Sequence, residues 1–220
     1  MPAKLLNRLN ELDSCAVSDA MDYFSLLGAS EGMKPYLKGA KISGKVITMK
    51  LGRFRLNKSK LHIGVRAIES SNKGDIIVID NQGKTEMSCW GGILSVAAIL
   101  KGVKGVIVDG AFRDSQECKN LNFPVFAKGV TAVTARGRIE EVSVNKQIDV
   151  SGVKVRSGDY VIADESGVIF IPKELSGEII TKAEEIIQRE DAIIKQISSG
   201  GSISEILGEK FENMVVRHYE

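Results

Sequence analysis

Apolar positions along the chain change rhythm three times. Val17, Ala20, Met21, Phe24 and Leu27 recur at helical spacing, which predicts a helix capped at Ser14 or Ser18 and ended by Gly28. Ile42 to Leu51 alternates as a strand does, and the basic stretch from Arg53 to Lys60 reads as a solvated connecting loop. The middle of the chain then repeats one unit. A helix over Leu61 to Ser71 leads to the apolar strand Ile76–Ile79, a second over Ile93 to Lys101 leads to Val106–Val108, and a third from Asp114 to about Asn120 leads to Pro124–Ala127. Short β-branched runs separated by helices imply strands that are buried on both faces and mostly parallel.

From Gly137 to Ile171 the pattern becomes strands alone: Ile139 to Val144, Val153 to Val155, Tyr160 to Ala163 and Val168 to Ile171. Pro172 opens a long helix whose Ile179, Ile180, Ala183, Ile186, Ile187, Ile193, Ile194 and Ile197 form an amphipathic stripe, and Gly200-Gly201 stops it. With no low-complexity linker and no internal repeat, the chain reads as a single mixed α/β domain over residues 1–220.

Composition narrows the function classes. The 220 residues hold 30 Lys and Arg against 28 Asp and Glu, a net charge of +2 too balanced for neutralising a phosphate backbone. Aromatic residues make up only 5%, which argues against platforms for base stacking. No nucleic-acid partner is expected. No apolar run reaches the roughly 20 residues that cross a bilayer, so no membrane association is expected either. Cys15, Cys89 and Cys118 are odd in number and lack metal-ligand spacing, as reduced thiols of a cytoplasmic protein would be.

The candidate chemistry sits in Cys89-Trp90-Gly91-Gly92-Ile93-Leu94 and in Asp109-Gly110-Ala111-Phe112-Arg113-Asp114-Ser115-Gln116-Glu117. Gly91 and Gly92 precede a helix whose unpaired amides at Ile93 and Leu94 can hold a carboxylate approaching close to the backbone. Arg113 adds a planar cation suited to a carboxylate or a developing enolate. Asp114 adds one hard oxygen ligand of the kind Mg²⁺ takes while keeping several waters. Asp114-Ser-Gln-Glu117 also reads as a capping box, with Asp114 as N-cap and Glu117 reaching back. Both roles fit, since one carboxylate oxygen can cap while the other faces a cation.

Other candidates carry less. Lys128 at a strand end has the residue type of a Schiff-base lysine, but one lysine beside Gly129 reads more simply as a solvated terminus. His62 and His218 share no ligand spacing. Trp90 is expected to pack beside the glycine loop, or to wall a pocket. Asp109 either serves the site or closes the turn at Gly110. No G-x-G-x-x-G opens a βαβ unit, so a nucleotide or methyl-donor cofactor is not expected.

Five segments in order resemble the family of regulator of ribonuclease activity A and the 4-hydroxy-4-methyl-2-oxoglutarate aldolases. They are Ser18-Asp19-Ala20-Met21-Asp22, Gly74 to Asp80, Gly91-Gly92-Ile93-Leu94, Gly105 to Asp114 with Glu117, and Asp164 to Pro172. The resemblance implies a swivelling-domain-like α/β/β sandwich with N-terminal helices and a long C-terminal helix. It also implies a homotrimer or homohexamer with sites between subunits, the segment 173–220 packing on a neighbour. In aldolase members the aspartate of the Arg-Asp pair binds a divalent metal, while the arginine and the amides of the glycine loop hold the pyruvate moiety. By resemblance those roles fall to Asp114, Arg113, Ile93 and Leu94, with Mg²⁺ or Mn²⁺ as the metal. A glutamate of the late helix of the adjacent subunit reaches the metal shell in such enzymes. Glu190 is the best match, with Glu184 and Glu185 nearby.

One position departs from that pattern. The aldolases carry an acid where this chain has Gly92, and that acid orders metal-bound water and assists proton transfer. The electrophilic half remains, and decarboxylating a β-keto acid such as oxaloacetate needs mainly that half. The expected function is therefore a metal-dependent carbon–carbon lyase releasing pyruvate from a small 2-keto acid, by aldol cleavage or by decarboxylation. The alternative is a non-catalytic regulator that binds ribonuclease E.

Overall fold

The structure is a computed structural model and describes residues 2–55 and 61–208. Helices α1 (Pro2–Glu11) and α2 (Ser14–Tyr23) come first, then the short strands β1 (Ala29–Ser30) and β2 (Lys34–Pro35) and the long β3 (Ile42–Arg53). The repeating middle is α3 (Val65–Ser70), β4 (Ile76–Ser88), α4 (Gly92–Lys101), β5 (Gly105–Phe112), α5 (Ser115–Asn120) and β6 (Val125–Val130). The strand-only region is β7 (Ile139–Val144), β8 (Ile148–Val150), β9 (Val153–Val155), β10 (Tyr160–Ala163) and β11 (Val168–Ile171), before α6 (Ser176–Ser198) and the short α7 (Ile203–Ile206).

The main sheet runs β1-β11-β10-β3-β4-β5-β6-β2, with β7 also paired to β3. Strands β3 to β6 are parallel, as the buried β-branched runs predict, and β10 and β11 join them antiparallel. Alternation assigns the two faces. Ile77, Ile79, Val106 and Val108 pack under α3 to α5 with Trp90, Ala98 and Phe123. Ile76, Val78, Ile107 and Phe126 face a β layer made of the separate β8–β9 pair, with Val150 and Val155, and of the β10–β11 end of the same sheet, with Val161 and Phe170. The chain is thus helices on sheet on a second β layer, and α1, α2 and the first half of α6 cover a third cluster around Ile162, Ile169 and Ile171.

A row of charges closes the parallel sheet at its C-terminal end. Lys50, Asp80 and Asp109 are register partners across β3, β4 and β5, and Lys128 follows on β6. Lys50 pairs with Asp80 at 3.4 Å and Lys128 with Asp109 at 2.6 Å. The Ser151 hydroxyl donates to Asp109 at 3.1 Å. Lys128 is therefore an ion-pair partner on the β-layer face, not a free amine waiting for a carbonyl.

Several expectations need correcting. The cap of α2 is Asp13, which accepts from the Ala16 amide at 2.8 Å. Ser14 is engaged elsewhere: its amide and hydroxyl donate to the Asp164 carboxylate at 2.8 and 2.6 Å. That helix ends at Tyr23 rather than Gly28, leaving Leu27 exposed. The helix expected from Leu61 starts only at Val65, because Gly64 sits in the left-handed region before it. Strand β4 continues past Asp80 to Ser88 through two irregularities in its pairing with β5. Helix α1 has no counterpart among the expected elements. Of the loop expected over 53–60, residues 56–60 lie outside the described residues, as do 209–220 with His218.

Candidate active site

The site is built where β4 and β5 hand over to helices. After Ser88, the Cys89 amide donates to the Ala111 carbonyl at 3.0 Å, and the Arg113 amide donates to the Trp90 carbonyl at 3.0 Å. These two bonds bring the glycine loop against the Arg113-Asp114 turn, although about twenty residues separate them in sequence. Trp90 anchors the loop from below. It is almost fully buried, its indole N–H donates to Ser95 Oγ at 2.9 Å, and its ring stacks on Phe123. Ser95 Oγ in turn donates to the Gly91 carbonyl at 3.0 Å.

Helix α4 begins at this junction, with Gly91 at its cap position. The first amides of a helix have no partner inside it. Here the Gly92 amide donates to Asp114 Oδ2 at 3.1 Å. Among the described residues no acceptor meets the amides of Ile93 and Leu94. These two donors, at the positive end of the helix dipole, are free for an anion.

Asp114 stands at the cap position of α5 but makes no capping bond. The capping-box expectation fails because Asp114 adopts left-handed backbone angles (φ 58°, ψ 40°), with its carboxylate bonded to the Gly92 amide instead. Both its oxygens accept from Arg113 Nε at 3.1 Å. A non-glycine residue in this region costs about 1 kcal/mol, less for aspartate than for most. Such outliers persist where the surroundings hold them, and here the Gly92 amide and Arg113 do so.

Glu117 does not reach back to a cap either. Its carboxylate lies over Gly92, where a Cβ would come within 2.0 Å of Oε2. A Cβ on Gly91 would meet Asp114 Oδ2 at 2.7 Å and Arg113 Cγ at 3.0 Å. Crowding by Asp114 and Arg113 thus favours glycine at position 91, where the backbone is extended, whereas at position 92 a side chain would displace the Glu117 carboxylate.

A cavity of about 120 Å³ opens in front of this arrangement, between the glycine loop, Arg113-Asp114, His62-Ile63 and the loop Thr134-Ala135-Arg136. That is well below the several hundred Å³ of a drug-sized pocket and suits a molecule of a few carbon atoms. Burial pushes the Cys89 thiol far up, with the Asp109 charge adding to it, so Cys89 is an inert wall rather than a nucleophile. Cys118 is likewise raised, by burial first. A larger depression of about 300 Å³ beside Cys15, Ser18 and Glu31 is remote in sequence from every residue of the Arg-Asp turn.

The structure thus brings together Gly91, Gly92, Ile93, Leu94, Arg113 and Asp114. Glu190 stands apart, exposed on α6 beside α2. Burial, then the charges of Asp19, Asp13 and Asp191, raise its pKa above the ordinary carboxylate value. It does not line the cavity of its own chain. Trp90 is both core and wall. Asp109 faces the opposite side of the sheet and serves the charge row. Sequence reasoning missed Arg136 in the cavity wall and the position of Glu117. For Arg136, the only signal was an arginine in a short polar loop.

A single protein Asp114 carboxylate, with oxygen lone pairs left and no capping bond, fits a Mg²⁺-type ion that keeps most of its waters. Among the described residues no group of three or more His, Cys, Asp or Glu could hold a metal, so a zinc-type cage does not fit.

Comparison with known proteins places the chain in a family. Residues 14–170 match the RraA-like family model, described as Aldolase/RraA, and the chain belongs to that family. It is 29% identical over 201 residues to the protein DlpA of Legionella pneumophila, covering 91% of this chain and 33% of DlpA. The chain therefore spans about a third of that relative's length. It is 32% identical over 113 residues to the 4-hydroxy-4-methyl-2-oxoglutarate aldolase of Thermus thermophilus, 51% of this chain and 68% of that protein. Among solved structures, Streptomyces coelicolor RraAS2 superposes with a TM-score of 0.78 at 23% identity, over 86% of this chain and 94% of that one. RraAS2 is described as an unusual member of the RNase ES inhibitor RraA family, and the likeness establishes the fold. No helix among the described residues is long and apolar enough to cross a membrane.

Proposed function

We propose that the chain is a divalent-metal-dependent carbon–carbon lyase that acts on small 2-oxo acids and releases pyruvate. One observation carries the reading. Asp114 is held in a left-handed backbone conformation with its carboxylate making no capping bond and lining a small cavity, beside Arg113 and two unpartnered helix amides. A structural cap needs none of this. The aldolase of Thermus thermophilus supports the reaction class.

Asp114 would hold Mg²⁺ or Mn²⁺. When bound, that ion supplies Lewis-acid stabilisation of negative charge on the 2-oxo group. The amides of Ile93 and Leu94 grip the substrate carboxylate at the α4 N-terminus. The Arg113 guanidinium is planar, always charged and 42% exposed at its side chain, so it can reach both Asp114 and the enolate oxygen as charge develops there. Glu117 brings a carboxylate over Gly92, the position at which aldolases of this family carry an acid. This supports a role for Glu117 in ordering water and taking the proton released in aldol cleavage. Gly91 and Gly92 leave room for these groups. Glu190 would act on the site of a neighbouring copy in a trimer or hexamer.

The test is pyruvate release from oxaloacetate and from a 4-hydroxy-2-oxo diacid, with Mg²⁺ or Mn²⁺ and with EDTA. Turnover that EDTA removes supports the reading. Release no faster than in the protein-free solution, for both substrates and both metals, overturns it. A second reading, a regulator that binds ribonuclease E, draws on the RraAS2 likeness and on the apolar face of α4, where Ile93 and Leu100 are more than 80% exposed. Absent turnover together with a complex between the chain and ribonuclease E would favour it.

A further inference from the structure

The cations around the cavity are not equivalent. Arg113 is paired with Asp114. Arg136 lines the same cavity, yet among the described residues its guanidinium meets no carboxylate and no carbonyl. Its backbone is also held in place. Its amide donates to Thr134 Oγ at 3.3 Å, and its carbonyl accepts from Arg138 Nη1 at 3.5 Å. The loop that carries it is tied to β4, because the Ser88 amide and hydroxyl both donate to the Val133 carbonyl, at 2.9 and 2.8 Å. The loop's start is tied to β5, where the Thr131 amide donates to the Phe112 carbonyl at 3.0 Å. An anchored loop thus carries an arginine with an unpaired guanidinium in the wall of the 120 Å³ cavity that Ile93, Leu94 and Asp114 also line.

We infer that Arg136 holds a second carboxylate of the substrate, so that the cavity selects 2-oxo acids with two acid groups over those with one. This rests on the reading of the cavity as an oxo-acid site. The Ile93 and Leu94 amides take the carboxylate next to the 2-oxo carbon, Arg113 and Asp114 face the 2-oxo group, and Arg136 takes the carboxylate at the far end. A guanidinium suits that task because its planar fork can hold a carboxylate through two hydrogen bonds. In decarboxylation or aldol cleavage the far carboxylate belongs to the part of the molecule that leaves or is cleaved away, so Arg136 sets which molecules enter without touching the pyruvate half.

Two unreactive ligands with the same 2-hydroxy acid head isolate this contact: malate, with two carboxylates, and lactate, with one. Their binding is measured by calorimetry on the full chain with Mg²⁺, unaltered and as Arg136→Ala and Arg136→Lys. A hydrogen bond to a charged group is worth roughly a tenfold to hundredfold in affinity, towards the lower end at this exposed position. Malate should bind the unaltered chain about tenfold or more tighter than lactate. Arg136→Ala should remove that preference and leave lactate unchanged, and Arg136→Lys should restore part of it. A loss of folding or of loop anchoring would weaken both ligands alike. Equal affinity for malate and lactate in the unaltered chain, malate failing to bind included, overturns the inference, as does a preference that survives Arg136→Ala. Preference for malate without any turnover of oxaloacetate sinks the lyase reading and leaves the role of Arg136 standing.

Discussion

Replacing Gly91 with alanine tests how tightly the site is assembled. The backbone at Gly91 is extended, with φ near −167°, so alanine meets no conformational penalty there. The added methyl carbon instead lies 2.7 Å from Asp114 Oδ2 and 3.0 Å from Arg113 Cγ. Ordinary contact begins near 3.4 Å, so the Asp114 carboxylate must retreat by 3.4 − 2.7 = 0.7 Å. Its 3.1 Å bond from the Gly92 amide is already long and breaks with that shift. Losing one hydrogen bond to a partly exposed charge costs about 1.5 kcal/mol, or roughly 3–6 °C in the melting temperature of a domain this size. Catalysis should suffer far more, since displacing a reacting group by nearly 1 Å costs up to about a hundredfold. Gly91→Ala is therefore expected to fold and melt a few degrees lower while losing about 10–100-fold in kcat/KM for oxaloacetate, measured by coupled detection of pyruvate. Gly92→Ala is the internal comparison: its methyl displaces only the end of Glu117 and leaves Asp114 in place, so it should keep oxaloacetate decarboxylation while slowing aldol cleavage. Full activity in Gly91→Ala would mean that Arg113 and Asp114 are not where the chemistry happens.

Three further outcomes follow from the same geometry. Among the described residues, Lys128→Ala leaves Asp109, almost fully buried, with only Ser151 as donor, and should cost about 3 kcal/mol of stability by denaturant unfolding without changing substrate affinity; an unchanged midpoint would show that the charge row contributes nothing. Asp164 is pushed up by burial, but bonds from the Ser14 hydroxyl and amide and from the Ser166 and Gly167 amides outweigh this and hold its pKa below the ordinary aspartate value. With a depressed folded pKa its contribution is complete above the ordinary aspartate value of about 3.9 and is lost as pH falls through the lower folded one, so Asp164→Asn should destabilise the protein at pH 7 and flatten its acid-side stability profile; parallel profiles for the two proteins would contradict the assignment. Gly92→Asp should expel the Glu117 carboxylate and, combined with Glu117→Ala, should recover aldol cleavage better than Glu117→Ala alone; no recovery in a folded double variant would show that the two positions do not exchange roles.

Much of the fold was legible because its core strands are buried on both faces. Ile76 to Ile79 and Val106 to Val108 are continuous β-branched runs, and such runs between helices admit little but a parallel sheet. The second half of β4 was not legible. Asn81 to Ser88 includes Gln82 and Gly83 at positive φ and has no alternation, so only its pairing with β5 makes it a strand. Helix α1 did carry a signal, with Pro2 at its first position and Leu5, Leu9 and Leu12 spaced to meet one cluster. In the site, local motifs pointed to Arg113, Asp114 and the glycine loop. They misjudged how Asp114 and Glu117 are used, because Asp-x-x-Glu looks the same whether the first residue is helical in approach or left-handed. The seat of Glu117 over Gly92 and the reach of Arg136 depend on contacts between residues more than twenty positions apart, which no local pattern encodes.

The central claim is that the Asp114 carboxylate anchors a divalent ion beside Arg113. Mn²⁺ binding followed by electron paramagnetic resonance, with oxalate present as a stand-in for the enolate of pyruvate, addresses it directly. The account predicts one saturable ion per chain, lost in Asp114→Asn while the circular dichroism spectrum stays unchanged. Equal Mn²⁺ binding by the two proteins, or none by the unaltered chain at saturating metal, would contradict it.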